Sequence, residues 1–102
     1  MAVVVVMDQK GDKTELLKKY DIVSEHMMAD GTPPKGLLAH FCMKTSDGIR
    51  VSNVWESEEA AKAGLEDPRL KEGFAKAEMP KVEPQFLPVH NHFITSEIPA
   101  RV

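Results

Sequence analysis

Two strand-like runs flanking Thr45-Ser46-Asp47-Gly48 constrain this chain more than any other feature. Leu37 to Lys44 and Ile49 to Trp55 have strand composition, and an Asp-Gly pair between such runs readily takes positive φ, so the spacing predicts an antiparallel hairpin. With Asp47 and Gly48 as a two-residue loop, Ser46 pairs with Ile49, Cys42 falls opposite Asn53 and His40 opposite Trp55. His40, Cys42, Asn53 and Trp55 then share one face, on the condition that a longer loop does not shift the register. Phe41, Met43 and Val54 take the opposite face, which is more uniformly apolar and on that ground is expected to pack under helices.

The elements around the hairpin follow from local chemistry. Val3 to Val6 is a continuous β-branched run, the pattern of a central strand buried on both faces. Gly11 ends it, and Asp12 with Glu15 three residues on forms a variant capping box that starts a helix. Leu16, Tyr20, Val23 and Met27 recur at helical spacing, and Asp30, Gly31, Pro33 and Pro34 stop the helix. Gly36 opens the next strand. Ser57 caps a second helix whose first turn holds Glu58 and Glu59, and Asp67-Pro68 divides it into two pieces by supplying a second cap and a proline at the first helical position. Leu70, Phe74 and Ala77 carry the apolar stripe of the second piece, and Pro80 closes it. Phe86 to Ile94 has strand composition, with Pro88 confining it to a sheet edge or to the residues after the proline.

The order β α β β α β, with helices on one face of an antiparallel four-stranded sheet, is the ferredoxin-like split unit of the α+β class. At 102 residues the chain fits one domain, 1–102, because two cores would each bury too little apolar surface to offset ordering entropy. So short a chain leaves the second sheet face in need of a cover, and a second subunit is expected to supply it.

Charge and cysteine content exclude several classes. The net charge is −3 with Lys and Arg scattered, so no basic stripe exists to neutralise phosphates and a nucleic-acid partner is not expected. Ala2 to Met7 is too short to span a bilayer and lacks a preceding basic segment, which argues against a membrane or secretory role and for a cytoplasmic one. Cys42 is the only cysteine, so neither an intrachain disulfide nor a thiolate metal cluster within one chain is possible. No P-loop, dinucleotide fingerprint, nucleophile elbow or EF-hand string is present.

Three strings in order, GLLAH (Gly36 to His40), VWES (Val54 to Ser57) and PVHN (Pro88 to Asn91), resemble those of a group of bacterial dimeric α/β-barrel proteins, over roughly Asp12 to Ile94. That group looks related to the antibiotic-biosynthesis monooxygenases, cofactor-free enzymes that oxidise electron-rich aromatics, and to cyclases, isomerases and haem-degrading oxygenases of the same fold. The resemblance implies the fold strongly and the activity weakly, since one fold hosts many chemistries. It also implies a homodimer, no cofactor, and a pocket between helices and sheet reached by His40, Trp55 and Tyr20.

Within that frame His40 is the candidate catalytic acid/base, because imidazole titrates near neutral pH. Asn53 and Trp55 are candidate substrate-binding groups, a polar anchor and an aromatic wall for a planar apolar compound. Tyr20 joins them if its hydroxyl points into the cavity. Each has a plainer alternative: a structural histidine, an interface asparagine, a core tryptophan and a snorkelling tyrosine. His90 and His92, two apart on one strand face, have the spacing of a metal pair but no evident third ligand, and no metal site is assigned. His26 reads as a helix-terminal charge, Cys42 as a small buried hydrophobe, and Met27, Met28, Met43 and Met79 as core or as an adaptable pocket lining. The leading expectation is a small-molecule protein performing cofactor-independent oxygenation, cyclisation or isomerisation of an aromatic or polyketide-like compound. The alternatives are a noncatalytic binding or assembly module and a haem or metal binder acting through histidine.

Overall fold

Helix starts are set by side chains that satisfy the first free amides. In the computed structural model, which describes residues 1–93, Asp12 accepts from the Glu15 amide at 2.9 Å and opens α1 (Lys13–Met27). The bond present is the Asp12 half of the expected box. Ser57 accepts from the Ala60 amide at 3.0 Å and opens α2 (Glu58–Leu65), and Asp67 accepts from the Arg69 amide ahead of α3 (Pro68–Ala77), so the helix does divide at Asp67-Pro68. Glu78, in the left-handed conformation, ends α3 before Pro80 is reached.

The strands are β1 (Val3–Lys10), β2 (Leu37–Lys44), β3 (Gly48–Trp55) and β4 (Gln85–Pro88). They form one antiparallel sheet in the order β2-β3-β1-β4, the α+β ferredoxin-like split unit. β4 occupies an edge as expected, but it begins at Gln85 and ends at Pro88 instead of running on to Ile94. Proline has no amide to donate, and the next amide, of Val89, bonds Ala2 outside the strand. His90 and His92 therefore lie off the strand and share no strand face, and Ile94 lies outside the described residues.

The hairpin register differs from the two-residue expectation. Lys44 pairs with Ile49, Cys42 with Val51 and His40 with Asn53, leaving a four-residue loop, Thr45 to Gly48, closed by the Thr45 amide on the Gly48 carbonyl at 3.0 Å. Gly48 is not at positive φ; its bare Cα is needed because a β-carbon there would lie 1.9 Å from the Gln9 carbonyl oxygen of β1. Since the slip is an even number of residues, His40, Cys42, Asn53 and Trp55 still share a face. Nearer its start β2 carries a bulge: Leu37 pairs with Trp55 and Ala39 with Val54, and Leu38 is the extra residue.

The helices cover the face that the polarity pattern disfavoured. Val3, Val5, Gln9, Ile49, Asn53 and Trp55 are buried beneath them, whereas Phe41, at 53% exposure, and Met43, at 40%, lie on the uncovered face with Leu87. The expectation that Phe41, Met43 and Val54 pack under helices is thus reversed. The stripe on α1 meets Ile49, Ala77 and Met79 in one cluster, and Val3, Val5, Trp55 and Ala61 form a second. Trp55 fits only because α2 presents Gly64 to it: a β-carbon there would lie 2.2 Å from the indole ring.

Candidate functional site

Members of both clusters line a cavity of about 370 Å³ between the sheet and the helical layer. β1 contributes Met7 and Gln9, β3 contributes Val51, Asn53 and Trp55, and β2 contributes Leu37 and His40. Helix α1 brings Tyr20, Val23, Ser24 and Met27, and α2 and α3 bring Leu65, Leu70 and Phe74. The wall is overwhelmingly apolar, with a few placed polar groups, the usual make-up of a small-molecule pocket.

All four residues singled out from the sequence, Tyr20, His40, Asn53 and Trp55, reach this cavity. The edge strand presents His40 beside Asn53, its ladder partner, and α1 crosses above with Tyr20. His40 Nδ1 bonds Asn53 Oδ1 and His40 Nε2 bonds the Tyr20 hydroxyl. A carbonyl oxygen only accepts, so Nδ1 carries the proton; Nε2 then offers its lone pair, and Tyr20 donates to it. The two rings are within 8° of parallel with centroids 5.8 Å apart, a geometry of edge-to-edge contact through hydroxyl and nitrogen, not of face stacking. Tyr20–His40–Asn53 is thus an oriented hydrogen-bond chain running from helix to central sheet.

Burial pushes the Tyr20 phenol above its usual value of 10.0, with the neighbouring Cys42 adding to the effect. Burial likewise raises the Cys42 thiol above 9.0, so at neutral pH it is a protonated, partly buried thiol and not an activated nucleophile. Trp55 is buried, and its Nε1 is the one buried side-chain polar atom without a hydrogen-bond partner among the described residues.

Other sequence candidates fall elsewhere. Met27, Met28 and Met79 line the cavity, but Met43 is on the far side of the sheet, and Met7 takes a place not assigned to it. His26 faces Glu72 of α3 at 3.0 Å. Among the described residues no group of three or more His, Cys, Asp and Glu is placed to hold a metal ion. None of the described helices is long and apolar enough to cross a membrane. Gln9 and Ser24 were missed as polar cavity groups. Gln9 continues the alternation Val3, Val5, Met7, and Ser24 lies one turn beyond Tyr20, so periodicity carried both. Gln9 also ties the chain after α3 to the sheet by donating to the Pro80 carbonyl at 2.8 Å.

No protein-family model matches the chain, and no curated protein matches it. Solved structures do. A Chloroflexus aurantiacus protein provisionally named an antibiotic biosynthesis monooxygenase is 20% identical, with 92% of this chain and 99% of that one covered at a TM-score of 0.67. A monooxygenase from the ActVA-Orf6 gene of Streptomyces coelicolor, solved with nanaomycin D, is 19% identical over 91% and 90%, at 0.68. SnoaB, a cofactor-independent oxygenase from Streptomyces nogalater, is 12% identical over 89% and 93%, at 0.61. At such identities the likeness shows the fold alone: the chain has the ferredoxin-like α+β fold that these structures share.

Proposed function

We propose that the chain is a cofactor-independent oxygenase acting on an apolar, phenolic aromatic compound bound in the cavity, with His40 as its base. The observation that carries this reading is the Tyr20–His40–Asn53 chain bordering an apolar cavity. A ligand hydroxyl bonded to the Tyr20 oxygen gives that oxygen its proton as Tyr20 passes its own to His40 Nε2. Asn53 Oδ1 holds the opposite side of the resulting imidazolium. The phenolate left behind is electron-rich enough to reduce dioxygen. One oxygen atom ends on a ring carbon as a quinone carbonyl, and the other leaves as water with one hydrogen lost from that carbon and the proton that the phenol hydroxyl gave up. Trp55 Nε1, lacking any partner among the described residues, suits a ligand carbonyl. The fold neighbours, one of them solved with nanaomycin D, support the choice of ligand class.

Oxygen uptake with a panel of quinols and polyketide-like phenols tests the reading. His40→Ala is expected to lower turnover about 10²–10⁴-fold, the usual contribution of a positioned acid/base; equal rates in wild type and variant remove His40 from the mechanism. One observation favours a noncatalytic binder instead, since both ring nitrogens of His40 are already satisfied within the protein. Binding without turnover across the panel would establish that alternative.

The uncovered face, with Phe41, Met43 and Leu87 exposed, is proposed to pair with a second copy of the chain. Sedimentation of the purified protein checks it: a monomer at micromolar concentration rejects the pairing.

A further inference from the structure

Arg69 sits where helix electrostatics disfavour it. It is in the first turn of α3, which carries no acidic residue and whose dipole repels a cation, yet its side chain is only 25% exposed. Its bonds explain the position. Nε and Nη2 grip the two oxygens of Asp67, the cap of its own helix, at 3.3 and 2.9 Å. Nη1 reaches across to the Met27 carbonyl at 3.0 Å, to Asp30 Oδ1 at 3.0 Å and to the Thr32 carbonyl at 2.9 Å. Met27 is the last residue of α1, so the cation repelled by one helix start is held at another helix end, where the dipole attracts it.

The acceptors belong to the segment that forms the cavity mouth. Met27, Met28, Pro33 and Pro34 line the cavity, and Met28 and Pro33 are at the same time exposed, which puts them on its rim. Leu65 and Leu70, on either side of the α2–α3 elbow that carries Arg69, line the same cavity. Within the segment the local ties are few: the Gly31 amide on Met28, the Thr32 amide on Asp30 and the Leu37 amide on Pro34. One planar guanidinium with a fixed fork of donors spans the gap between the two walls, a task an ammonium point charge does not reproduce.

We propose that Arg69 is a positioning residue that sets the cavity entrance, clamping the 28–36 collar to the α2–α3 elbow and so limiting how fast an apolar ligand enters and leaves. The role rests on the reading of the cavity as a ligand site, but the clamp itself has a separate readout. Lys35, exposed in the collar and followed by Gly36, is a trypsin site whose cleavage, which needs the local backbone to open, speeds up as the collar loosens.

The experiment compares wild type, Arg69→Lys and Asp30→Asn, with Lys71→Ala, which breaks an exposed pair with Glu66 outside the collar, as control. The probes are cleavage after Lys35, mapped by mass spectrometry, and stopped-flow exchange of the neutral dye N-phenyl-1-naphthylamine. The expected result is cleavage about tenfold faster in both clamp variants, the scale of one lost charge-assisted hydrogen bond, with dye association and dissociation both accelerated and the control unchanged. A merely structural arginine would lower the melting temperature without moving the exchange rates. Should Arg69→Lys fail to fold, Asp30→Asn decides alone, since it keeps an Oδ1 acceptor for the Thr32 amide and leaves the Arg69–Asp67 pair intact while removing the charge that faces Arg69. Wild-type cleavage and exchange rates in the folded variants overturn the proposal. Faster cleavage with unchanged dye exchange overturns the entrance role and leaves a structural clamp. A wild type that binds no dye overturns the positioning role together with the use of the cavity, while the cleavage rates still report on the clamp.

Discussion

The two faces of the sheet invert the usual expectation about polarity. The face beneath the helices holds His40, Asn53 and Gln9 among its apolar residues, while the face left bare in the isolated chain presents Phe41, Met43 and Leu87. The difference teaches that a covered face can hold polar groups where partners are in reach: His40 has Asn53 and Tyr20, and Gln9 has Pro80, with Trp55 Nε1 the exception among the described residues. An uncovered apolar face signals a partner outside the chain.

Opposite truncations should separate the faces most strongly. Trp55→Ala on the covered face is expected to cost about 3–5 kcal/mol in urea unfolding, the scale for deleting a buried large aromatic. Phe41→Asp on the bare face should leave the stability of the monomer within about 0.5 kcal/mol and appear instead as a lighter species in sedimentation. Equal losses would show that the bare face is covered within the chain.

Acidity offers finer tests. Tyr20 is the sole tyrosine, so absorbance at alkaline pH reports it alone. Because burial raises its phenol, its ionisation midpoint should lie above 10.0 in the folded protein and fall toward that value in urea. A midpoint below 10.0 would mean that Tyr20 does not sit in the cavity wall. On the bare face, Arg50 holds Asp8 below its usual 3.8 through bonds at 2.7 and 3.0 Å. A depressed carboxylate stabilises the fold fully above its ordinary value and loses that contribution as pH falls through the lower folded value. Asp8→Asn should therefore lose less stability than wild type when pH drops from 7 to below 3.8. With both partners more than a third exposed, solvent screening keeps this difference small, the smallest effect expected here.

Much of this was legible in the sequence because the signals were local. Asp12, Ser57 and Asp67 cap helices through side chains two or three residues from the amides they serve, and alternation alone grouped His40 with Asn53 and Trp55. The illegible parts depended on distant segments. The loop of the hairpin was settled by the Gln9 backbone of β1 pressing on Gly48, a contact between residues 39 positions apart (48 − 9). Which face the helices take was decided by packing of α1 and α2 against Ile49 and Trp55, and counting apolar residues along one strand carried no information about it. The Arg69 clamp combines both problems, since its acceptors at Met27 and Thr32 are backbone carbonyls that no side-chain pattern reveals.

Leu38, the extra residue in β2, acts on the strand as a frameshift acts on a message. Leu37 and His40 are an odd number of positions apart, yet both line the cavity, because the bulge resets the alternation between them. Removing or adding one residue at this point would carry either the Leu37 wall or the imidazole through to the opposite side of the sheet. A change of two would leave both in phase. Length in this stretch is therefore readable as parity, and variants of odd length change should keep the fold while losing the polar edge of the cavity.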